Sequence, residues 1–307
     1  MKQPRDLATT LPSPSEMDNY HKCPCLWWLK DRLWIKPVGE VIPLLTGRIV
    51  DRVMDAWHNN PQDRNPLAAL GTFDLLVEEA KSKVDENDFA AFASSARDAL
   101  VAWFTLYGNV KEKVTHVQPK LPICRGKVDY IVEMSPGIVR VRERKLLSPF
   151  AEVDDEVARY QLGFQPLAYA TDVEQTYQVV VECVEFEFLI RSAPQRGRYK
   201  AIPASVRREP IFVDDWKKQL WRNSAEWTNY CMNALEATIQ NQEAISEGKG
   251  FPFEEIPRHT RNCLTKLGTR TYECDFYKAC KTNTSPTVME EHFSQDEIVK
   301  EGEHEGS

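Results

Sequence analysis

The sequence predicts an α/β protein in which a mixed β-sheet is flanked by helices. Two regions are rich in β-branched and aromatic residues, one at about 116–146 and one formed by YQVVVECVEFEFLIRS with a partner near 199–213, and both indicate strand pairs. Segments with helical periodicity precede, separate and follow these regions. The chain has 307 residues and 42% hydrophobic content, which is enough to bury a full core.

The elements are expected in a clear order along the chain. Residues 15–110 are predicted to be mostly helical: Ser15 caps the first helix, TGRIVDRVMDAWHNN forms the second, and two more extend through Leu106. Strands span roughly 116–146, and a helix follows at about 154–171. After the second strand pair, Asp214 or Asp215 caps a long amphipathic helix. Its predicted apolar face contains Trp216, Leu220, Trp227, Leu235 and Ile239.

The predicted domain organisation is one large domain between two mobile ends. Residues 1–14 are polar and contain proline, and residues 285–307 form an acidic tail without apolar periodicity, so we expect both ends to be disordered. The domain covers residues 15–284. It consists of a helical part at 15–110, a sheet core at 111–213, and a long helix with a cysteine-containing segment at 214–284.

A hairpin near the middle of the chain is predicted to bring three charged residues together. The segment GKVDYIVEMSPGIVRVRERKLL has β-branched flanks around an MSPG turn, as expected for two antiparallel strands. If Glu133 faces Val139, the same register places Asp129 opposite Glu143, with Cβ atoms roughly 5 Å apart. Residues two apart on a strand share a face, so Lys145 joins this pair.

Two carboxylates beside an ammonium group suit metal-dependent phosphodiester hydrolysis. Mg²⁺ and Mn²⁺ prefer carboxylate oxygens, which Asp129 and Glu143 supply. A bound metal ion lowers the pKa of a water ligand, and Lys145 can orient that water or offset the charge of the phosphate. The alternative is that all three residues are ordinary solvated charges on an exposed strand face.

The pattern G-x-V-D, a hairpin and then E-x-K resembles motifs II and III of the PD-(D/E)XK nucleases, in particular the RecB-like exonuclease branch. This resemblance implies a restriction-endonuclease-like core with a mixed central sheet, in which Asp129 and Glu143 hold the metal ion and Lys145 assists the attacking water. The upstream segment TGRIVDRVMDAW resembles the first motif of the branch, a helix that normally contains G-x-x-x-H. Gly47 is present, and Asp51 stands where the histidine is expected.

The downstream segment QLGFQPLAYA resembles the Q-x-x-x-Y motif of RecB-like domains. Gln165 and Tyr169 have the matching spacing, and Gln161 is the alternative glutamine. In the family these residues lie on a helix beside the metal ion and position the substrate. Pro166 falls inside the motif, and because proline disrupts a helix interior, we expect the helix to be kinked or to begin near Pro166.

The replacement of the histidine by Asp51 leaves two interpretations open. An aspartate is a harder oxygen ligand than imidazole and can still hold the metal ion, but it changes the charge of the site and can also indicate a weakened one. His58 lies seven residues further on, so it shares a helix face with Asp51 about 10 Å along the axis. It is a second, less favoured substitute for the motif histidine.

The eight cysteines fall into different settings. Three occur singly in apolar or amphipathic stretches and are predicted to be core residues: Cys124, Cys183 and Cys231. Another three lie in a loop-rich segment with few apolar residues: Cys263, Cys274 and Cys280. In a reducing compartment, clustered cysteines bind metal more often than they form disulfides.

The N-terminal run SPSEMDNYHKCPCLWWL is similar to the iron–sulfur group of RecB-like nucleases, in which one cysteine lies near the start and three near the end. Cys23 opens a Cys-Pro pair as in that group, and GKGFPFEEIPRHTRNC resembles the segment that leads into the last three cysteines. The resemblance implies a 4Fe–4S cluster held by Cys23, Cys263, Cys274 and Cys280. Four cysteines can also hold a structural Zn²⁺, so both metals remain candidates.

Any nucleic-acid contact is expected to be local, because a net charge of −7 and a pI of about 5.5 give no global attraction to a polyanion. The stretch RSAPQRGRYKAIPASVRREP is basic, and its Arg196, Arg198 and Lys200 are candidates for contacts along a phosphate backbone. The alternative is an ordinary solvated loop.

A second basic feature lies on the strand that carries Glu143. Arg140, Arg142 and Arg144 alternate on the face opposite Glu143. Three arginines on a central strand need carboxylate partners or solvent, since a buried unpaired charge is costly. We expect them to form ion pairs with a neighbouring helix.

Together these patterns predict a metal-dependent DNA exonuclease that acts on single-stranded DNA or DNA ends, in recombination, repair or CRISPR-like processing. The sequence has no P-loop, so unwinding requires a helicase or recombination partner. The resemblance also implies a capacity for homo-oligomerisation. Without a signal peptide or a long apolar run, we expect a cytoplasmic protein with no membrane contact. The alternative is a catalytically inactive nucleic-acid-binding or assembly subunit that keeps the nuclease fold.

Overall fold

A computed structural model describes residues 11–33, 35–37, 41–62, 64–84, 86–124, 126–198 and 200–245, together with strands at 264–267, 270–273 and 293–295. The chain divides into two units. One unit is Met1–Val38 with Asn223–Ser307, and the other is Gly39–Arg222. The second unit contains the main sheet and the hairpin with its charged residues.

The main sheet has five strands in the order β2-β3-β4-β5-β6. These strands are β2 (Lys113–Val117), β3 (Tyr130–Ser135), β4 (Ile138–Leu147), β5 (Val180–Ile190) and β6 (Ser205–Ile211). β4 and β5 run parallel, and the other neighbouring pairs are antiparallel. The mixed sheet predicted from the sequence is confirmed.

The hairpin between β3 and β4 has the predicted register, with Glu133 paired to Val139. Gly137 in the turn has a φ of +79°, a left-handed conformation that glycine adopts without steric cost. Asp129 directly precedes β3, so the register brings it to the level of Glu143 on β4.

Two helices form the crossover that the parallel pair β4 and β5 requires: α6 (Val153–Leu162) and α7 (Gln165–Tyr177). The expectation of one helix at 154–171 is wrong. Gly163 caps the end of α6, and its N–H donates to the carbonyl of Tyr160. Pro166 lies in the first turn of α7, where a missing N–H costs no helical hydrogen bond. The helix therefore begins near Pro166, as predicted.

On the other face, α3 (Ile42–Asn59) and α5 (Glu86–Tyr107) pack against the sheet, and α4 (Pro66–Ala80) packs against these two helices. On α3 the buried residues Ile49, Val53 and Trp57 repeat at the four-residue spacing of an apolar helix face. They pack with residues of α4 and α5 and with Leu189 of β5 in one core. The helical character predicted for this region is confirmed.

The first unit contains short elements and most of the last long helix. They are α1 (Pro14–Lys22), α2 (Pro24–Trp27), a π-helix at Trp28–Arg32, β1 (Ile35–Pro37), α8 (Asp215–Ile245, from Asn223 on), β7 (Leu264–Leu267), β8 (Arg270–Glu273) and β9 (Phe293–Gln295). β7 pairs with β8, and β1 pairs with β9, both antiparallel. Strand β9 lies within residues 285–307, and the rest of that segment lies outside the described residues.

Two sequence-based assignments in the helices of this unit are corrected. Ser13, not Ser15, caps α1, because its hydroxyl accepts from the N–H of Glu16 while the Glu16 carboxylate accepts from the N–H of Ser13. On α8, Trp216, Leu220 and Trp227 are exposed. Of the predicted face, Ile239 is buried as expected and Leu235 is half-buried. The other buried side chains of α8 lie on a neighbouring stripe: Trp221, Ala225, Thr228 and Met232. Both stripes have helical spacing, so periodicity alone did not distinguish them.

No helix in the described ranges combines the length and the apolar character needed to cross a bilayer.

Candidate active site

Asp129 lies at the start of β3, beside β4. Its carboxylate oxygen Oδ2 accepts a hydrogen bond from the backbone N–H of Arg144 at 2.5 Å. This bond holds Asp129 against the strand segment that carries Glu143 and Lys145. A backbone group of the hairpin therefore helps to position one carboxylate of the site.

Glu143 is at the centre of a hydrogen-bonded group on the face of β4 that α7 covers. The Nζ of Lys145 lies 2.6 Å from Glu143 Oε1. The side-chain amide of Gln165 donates to the same oxygen at 3.0 Å and also lies 2.8 Å from the hydroxyl of Tyr169. The structure thus brings both Q-x-x-x-Y residues to Glu143, whereas the alternative Gln161 is exposed on α6.

Asp51, on α3, reaches the same cluster. Its Oδ1 lies 3.5 Å from Nη1 of Arg144. Burial, and after it the nearby charge of Asp129, raise the pKa of Asp51 to about 6. The helix that resembles the first motif therefore places a carboxylate beside the hairpin, as the resemblance implies.

Asp55 is a fourth carboxylate near the site, and the sequence analysis missed it. It lies one turn beyond Asp51 on α3. Burial raises its pKa to about 6; Arg144 opposes this shift, and the charges of Asp129 and Asp51 add to it. The four-residue spacing of the two aspartates was a signal in the sequence, because residues four apart lie on one helix face.

Unsatisfied carboxylate oxygens in this cluster fit a hard divalent cation. Within the described ranges, no hydrogen bond engages Oδ1 of Asp129 or Oε2 of Glu143. Burial raises the pKa of Glu143 to about 7, with Lys145 opposing and Asp129 adding to the shift. A cation would relieve this repulsion. In the same ranges no three His, Cys, Asp or Glu side chains form a ready-made metal site.

Lys145 remains protonated in this setting. Burial favours the neutral amine, but Glu143, Tyr160 and Asp129 together outweigh burial and raise the pKa of Lys145. The ammonium group also lies 5.4 Å from the ring centroid of Tyr160 on α6. A fixed positive charge therefore stands beside the carboxylates.

A buried ion network lies behind the site, on the opposite face of β4. Arg142 pairs with Glu185 at 2.7 Å, and Arg208 of β6 pairs with Glu187 at 2.6 Å. Arg144 lies 3.7 Å from Glu187. Burial favours protonation of Glu187, but Arg208, Arg144 and Arg142 together lower its pKa to about 2. The network keeps several buried charges mutually neutralised.

The expected partners of the β4 arginines are corrected by this network. Arg140 pairs with Glu182 at 2.7 Å, and Arg142 pairs mainly with glutamates of β5, not with a helix. The reason is that β5 runs parallel beside β4 and carries glutamates on the same face, in register with the arginines. Only Arg144 reaches a helix, through Asp51.

His58 is part of the core and does not replace the motif histidine. Its ring stacks on Tyr130 at 4.1 Å between centroids and meets Trp103 edge-on at 5.9 Å. Burial lowers the pKa of His58 to about 3, so the ring is neutral. Enclosed between two aromatic side chains, it contributes packing and no metal ligand.

The glycine of the G-x-V-D pattern has a packing role. A Cβ atom at Gly126 would lie 3.1 Å from Cε1 of Tyr169 and 3.3 Å from Sγ of Cys124. A side chain here would require Tyr169 or Cys124 to shift by a few tenths of an ångström. Gly126 therefore allows the loop before β3 to pass close to α7.

Asp172, also missed from the sequence, holds that same loop. It is fully buried on α7, and its Oδ2 accepts from the backbone N–H groups of Ile123 at 2.9 Å and Cys124 at 2.8 Å. Its Oδ1 accepts from the hydroxyl of Thr176 at 3.0 Å. The loop leads directly into Asp129, so Asp172 connects α7 to the position of a site carboxylate.

Substitution of Asp172 by alanine is expected to lower the free energy of unfolding by about 2 to 4 kcal/mol, because two buried N–H groups lose their acceptor. Denaturant titration measures this effect. Asp172→Asn is the matched control, since its amide oxygen can still accept from both N–H groups while its NH₂ faces Thr176. Equal stability of the alanine variant and wild type would show that Asp172 does not hold the loop.

The metal-free protein is expected to lose stability as pH rises. The pKa of Glu143 is raised from 4.5 to about 7, so the native state binds this proton more tightly than the unfolded state. The resulting stabilisation is complete below about pH 4 and is lost as pH rises through 7, a change of about 3 kcal/mol. Denaturation in EDTA at pH 5 and pH 8 measures it, and Glu143→Gln is expected to reduce the difference. If the stability of the wild type relative to Glu143→Gln increases from pH 5 to pH 8, the raised pKa of Glu143 is contradicted.

The other predicted site residues lie elsewhere. Arg196, Arg198 and Lys200 lie in the connection between β5 and β6 and are exposed. Cys23 is buried in the first unit, directly before α2, while Cys263, Cys274 and Cys280 lie outside the described residues. Of the predicted core cysteines, Cys124 and Cys183 are buried, and Cys231 is half-buried.

Comparison with known proteins identifies the family of this chain. The model of the PD-(D/E)XK nuclease superfamily matches the chain over residues 12–280. One solved structure that the chain resembles is that of a protein from Eubacterium rectale, provisionally named an exonuclease. The two sequences are 13% identical, the match covers 89% of this chain and 88% of that chain, and the TM-score is 0.40. No curated protein matches the sequence. Because the family model spans most of the chain, including Asp51 and the hairpin, the chain belongs to the PD-(D/E)XK nuclease superfamily.

Proposed function

We propose that this chain is a metal-dependent DNA exonuclease that hydrolyses phosphodiester bonds in single-stranded DNA or at DNA ends. The observation that carries the proposal is the hairpin, where Lys145 and Glu143 lie 2.6 Å apart and Asp129 is bonded to the same strand. Membership of a nuclease superfamily supports the hydrolytic chemistry. The basic, exposed Arg196 and Lys200 support a nucleic-acid substrate.

Asp129 and Glu143 would hold the metal ion, Mg²⁺ or Mn²⁺, and Asp51 would join them as a third ligand by moving closer, because the three do not form a ready-made metal site in the described ranges. When bound, such an ion supplies an acidified water and offsets charge on the phosphate. Nuclease superfamilies of this kind generally use divalent metals. Asp129 is fixed by the backbone of Arg144, and Glu143 is oriented by Lys145 and Gln165, so both ligands are largely ordered beforehand.

Lys145 holds its proton and presents an ammonium group to the reacting phosphate or the attacking water. A preorganised cation in a buried site stabilises developing negative charge more than it would in water. Gln165 donates one hydrogen bond to Glu143 and a second to Tyr169. Gln165 and Tyr169 therefore position the site and the strand, and they take no part in proton transfer.

A catalytically inactive nucleic-acid-binding or assembly subunit is the second candidate function. One observation favours it: Asp51, which replaces the motif histidine, faces the guanidinium of Arg144 at 3.5 Å. That ion pair competes with a metal ion for the same carboxylate. The two candidates differ in whether a metal ion activates hydrolysis.

Digestion of linear and circular single-stranded DNA of the same sequence tests the exonuclease proposal. With Mg²⁺ or Mn²⁺, the linear strand is expected to shorten progressively while the circle stays intact, because an exonuclease needs an end. Cleavage of the circle would indicate an endonuclease. Inertness towards both substrates with either metal would favour the inactive subunit.

We further propose a 4Fe–4S cluster held by Cys23, Cys263, Cys274 and Cys280, with structural Zn²⁺ as the alternative. Cys23 is buried and directly precedes Pro24, which supports it as the first ligand. Iron and sulfide analysis of anaerobically purified protein, with a visible charge-transfer band, tests the cluster. Stoichiometric zinc without a visible band would identify the alternative.

The cellular setting of the activity is proposed on the same basis. We expect a cytoplasmic protein that acts in recombination, repair or CRISPR-like processing, with a helicase or recombination partner that supplies unwinding, and with homo-oligomerisation as a route to processivity. Co-purification of a motor protein and the mass of the native protein by light scattering test these two expectations.

A further inference from the structure

A cleft of about 1100 Å³ opens beyond the carboxyl ends of the parallel strands β4 and β5. Residues that follow these strands, Ser148–Phe150 and Arg191–Pro194, form two of its walls, and residues of α3, α5 and the β5–β6 connection complete it. In α/β sheets, ligands bind at the carboxyl ends of parallel strands. Lys145 lies three residues before Ser148, about 10 Å away along an extended strand.

One wall of the cleft is held firmly in place. The guanidinium of Arg191 lies 3.4 Å from the ring centroid of Phe92 and donates to Ser95 Oγ at 3.2 Å. The hydroxyl of Ser192 donates to Asp98 at 2.5 Å. These contacts join the end of β5 to α5, so the cleft is built before any ligand arrives.

The mouth of the cleft presents an aromatic side chain to solvent. Phe150 is 75% exposed. Ser148 fixes the turn beneath it, since its Oγ accepts from the N–H of Phe150 at 3.2 Å and its carbonyl accepts from the N–H of Ala151 at 3.0 Å. An exposed ring on a fixed turn is a surface on which a base can stack.

The rim of the cleft carries a local excess of positive charge. Arg196 and Lys200 are exposed, and neither forms an ion pair in the part of the chain that the structure describes. With Arg191 they outnumber the two acidic lining residues, Asp88 and Asp98, and Asp98 is already engaged by Ser192. On a chain with a net charge of −7, this combination of basic rim and apolar lining complements phosphates and bases together.

We propose that this cleft binds a short run of unpaired nucleotides next to the scissile phosphate, with a base stacked on Phe150 and phosphates at Arg196 and Lys200. The inference rests on the proposed nuclease function and names its substrate as a single strand. The volume is close to the upper size of pockets that hold one organic ligand, about 1000 Å³. Bases in a double helix are already stacked on their neighbours, so a ring that stacks a base favours an unpaired strand.

Binding of a fluorescent oligodeoxythymidylate of about 12 nucleotides, measured by anisotropy with the full chain in EDTA, tests the proposal. The double variant R196A/K200A is expected to bind about tenfold more weakly and to lower the salt slope by about 1.4, which corresponds to two phosphate contacts. Phe150→Ala is also expected to weaken binding about tenfold, because it loses one stacked base.

The matched control is the double variant K111A/K113A, which removes the same charge. Lys113 lies opposite Glu133 of β3 in the sheet, and Glu133 lies opposite Val139 near the start of β4. Both lysines therefore lie at the end of the sheet away from the cleft. Wild-type binding is expected for this control. Thermal unfolding of every variant identifies any loss of fold, which exposed substitutions are not expected to cause.

Two readouts separate this inference from the proposed function. In digestion assays, the cleft variants are expected to raise KM with little change in kcat, whereas Lys145→Ala lowers kcat. If wild type binds the strand through the cleft and digests nothing, the nuclease proposal fails and the cleft proposal stands. If wild type digests the strand and the cleft variants bind and digest as it does, the cleft proposal is overturned. Equal competition by a blunt duplex would overturn it as well.

Discussion

Substitution of Lys145 by alanine is expected to slow metal-dependent hydrolysis by a factor of roughly 10² to 10³, the usual effect of removing one preorganised group from a site of developing charge. Lys145 contacts Glu143 at 2.6 Å and is the ammonium group closest to that carboxylate. Without it, the pKa of Glu143 rises further, because an opposing positive charge is lost. Residual activity of the variant is therefore expected to increase at higher pH.

Single-turnover rates with saturating enzyme measure this effect without the step of product release. Lys111→Ala provides the control, because it removes an exposed lysine that precedes β2 and contributes nothing to the site. DNA affinity in EDTA is expected to stay near that of wild type for both variants. A Lys145→Ala rate within a few-fold of wild type would exclude Lys145 from the chemistry.

Substitution of Asp51 by alanine is expected to be the second large effect, with a rise of at least roughly tenfold in the metal concentration that gives half-maximal activity. Asp51 approaches Asp129 from α3, and the mutual repulsion that helps raise its pKa to about 6 is what a divalent cation would relieve. Asp51→His, which introduces the residue of the family motif, is expected to recover activity, because neutral imidazole also binds Mn²⁺ and similar metals.

Asp55→Ala is the matched comparison for Asp51, since it removes a carboxylate from the next turn of the same helix. The charge of Asp129 also affects the pKa of Asp55, but less than burial and Arg144 do. A titration of activity against Mn²⁺ is expected to show the larger change for Asp51→Ala. The reverse order would make Asp55 the helix ligand, and no change for either would show that α3 supplies no metal ligand.

The hairpin explains why so much of the site was predictable from the sequence. Its register follows from a short turn and from β-branched flanks, and the strand period then determines that Glu143 and Lys145 share a face. Gln165 and Tyr169 could be predicted from the sequence because a proline in the first helical turn leaves the motif spacing intact. Each of these steps depends on residues close together in the chain.

The parts that were not predicted depend on long-range contacts. Asp172 acts on a loop 48 residues earlier, and the arginines of β4 find their partners on β5 across a helical crossover. The exposed Trp216 and the buried Trp221 on α8 have similar sequence surroundings, and tertiary packing alone distinguishes them. No local pattern contains this information.

The decisive measurement is digestion of end-labelled single-stranded DNA by the wild-type chain, with Mg²⁺ or Mn²⁺ and with EDTA. We expect metal-dependent release of short products that EDTA abolishes and that Lys145→Ala reduces roughly a hundredfold. Absence of products with both metals, in protein that is folded and binds the strand, would contradict the assignment of Asp129, Glu143 and Lys145 as a hydrolytic site.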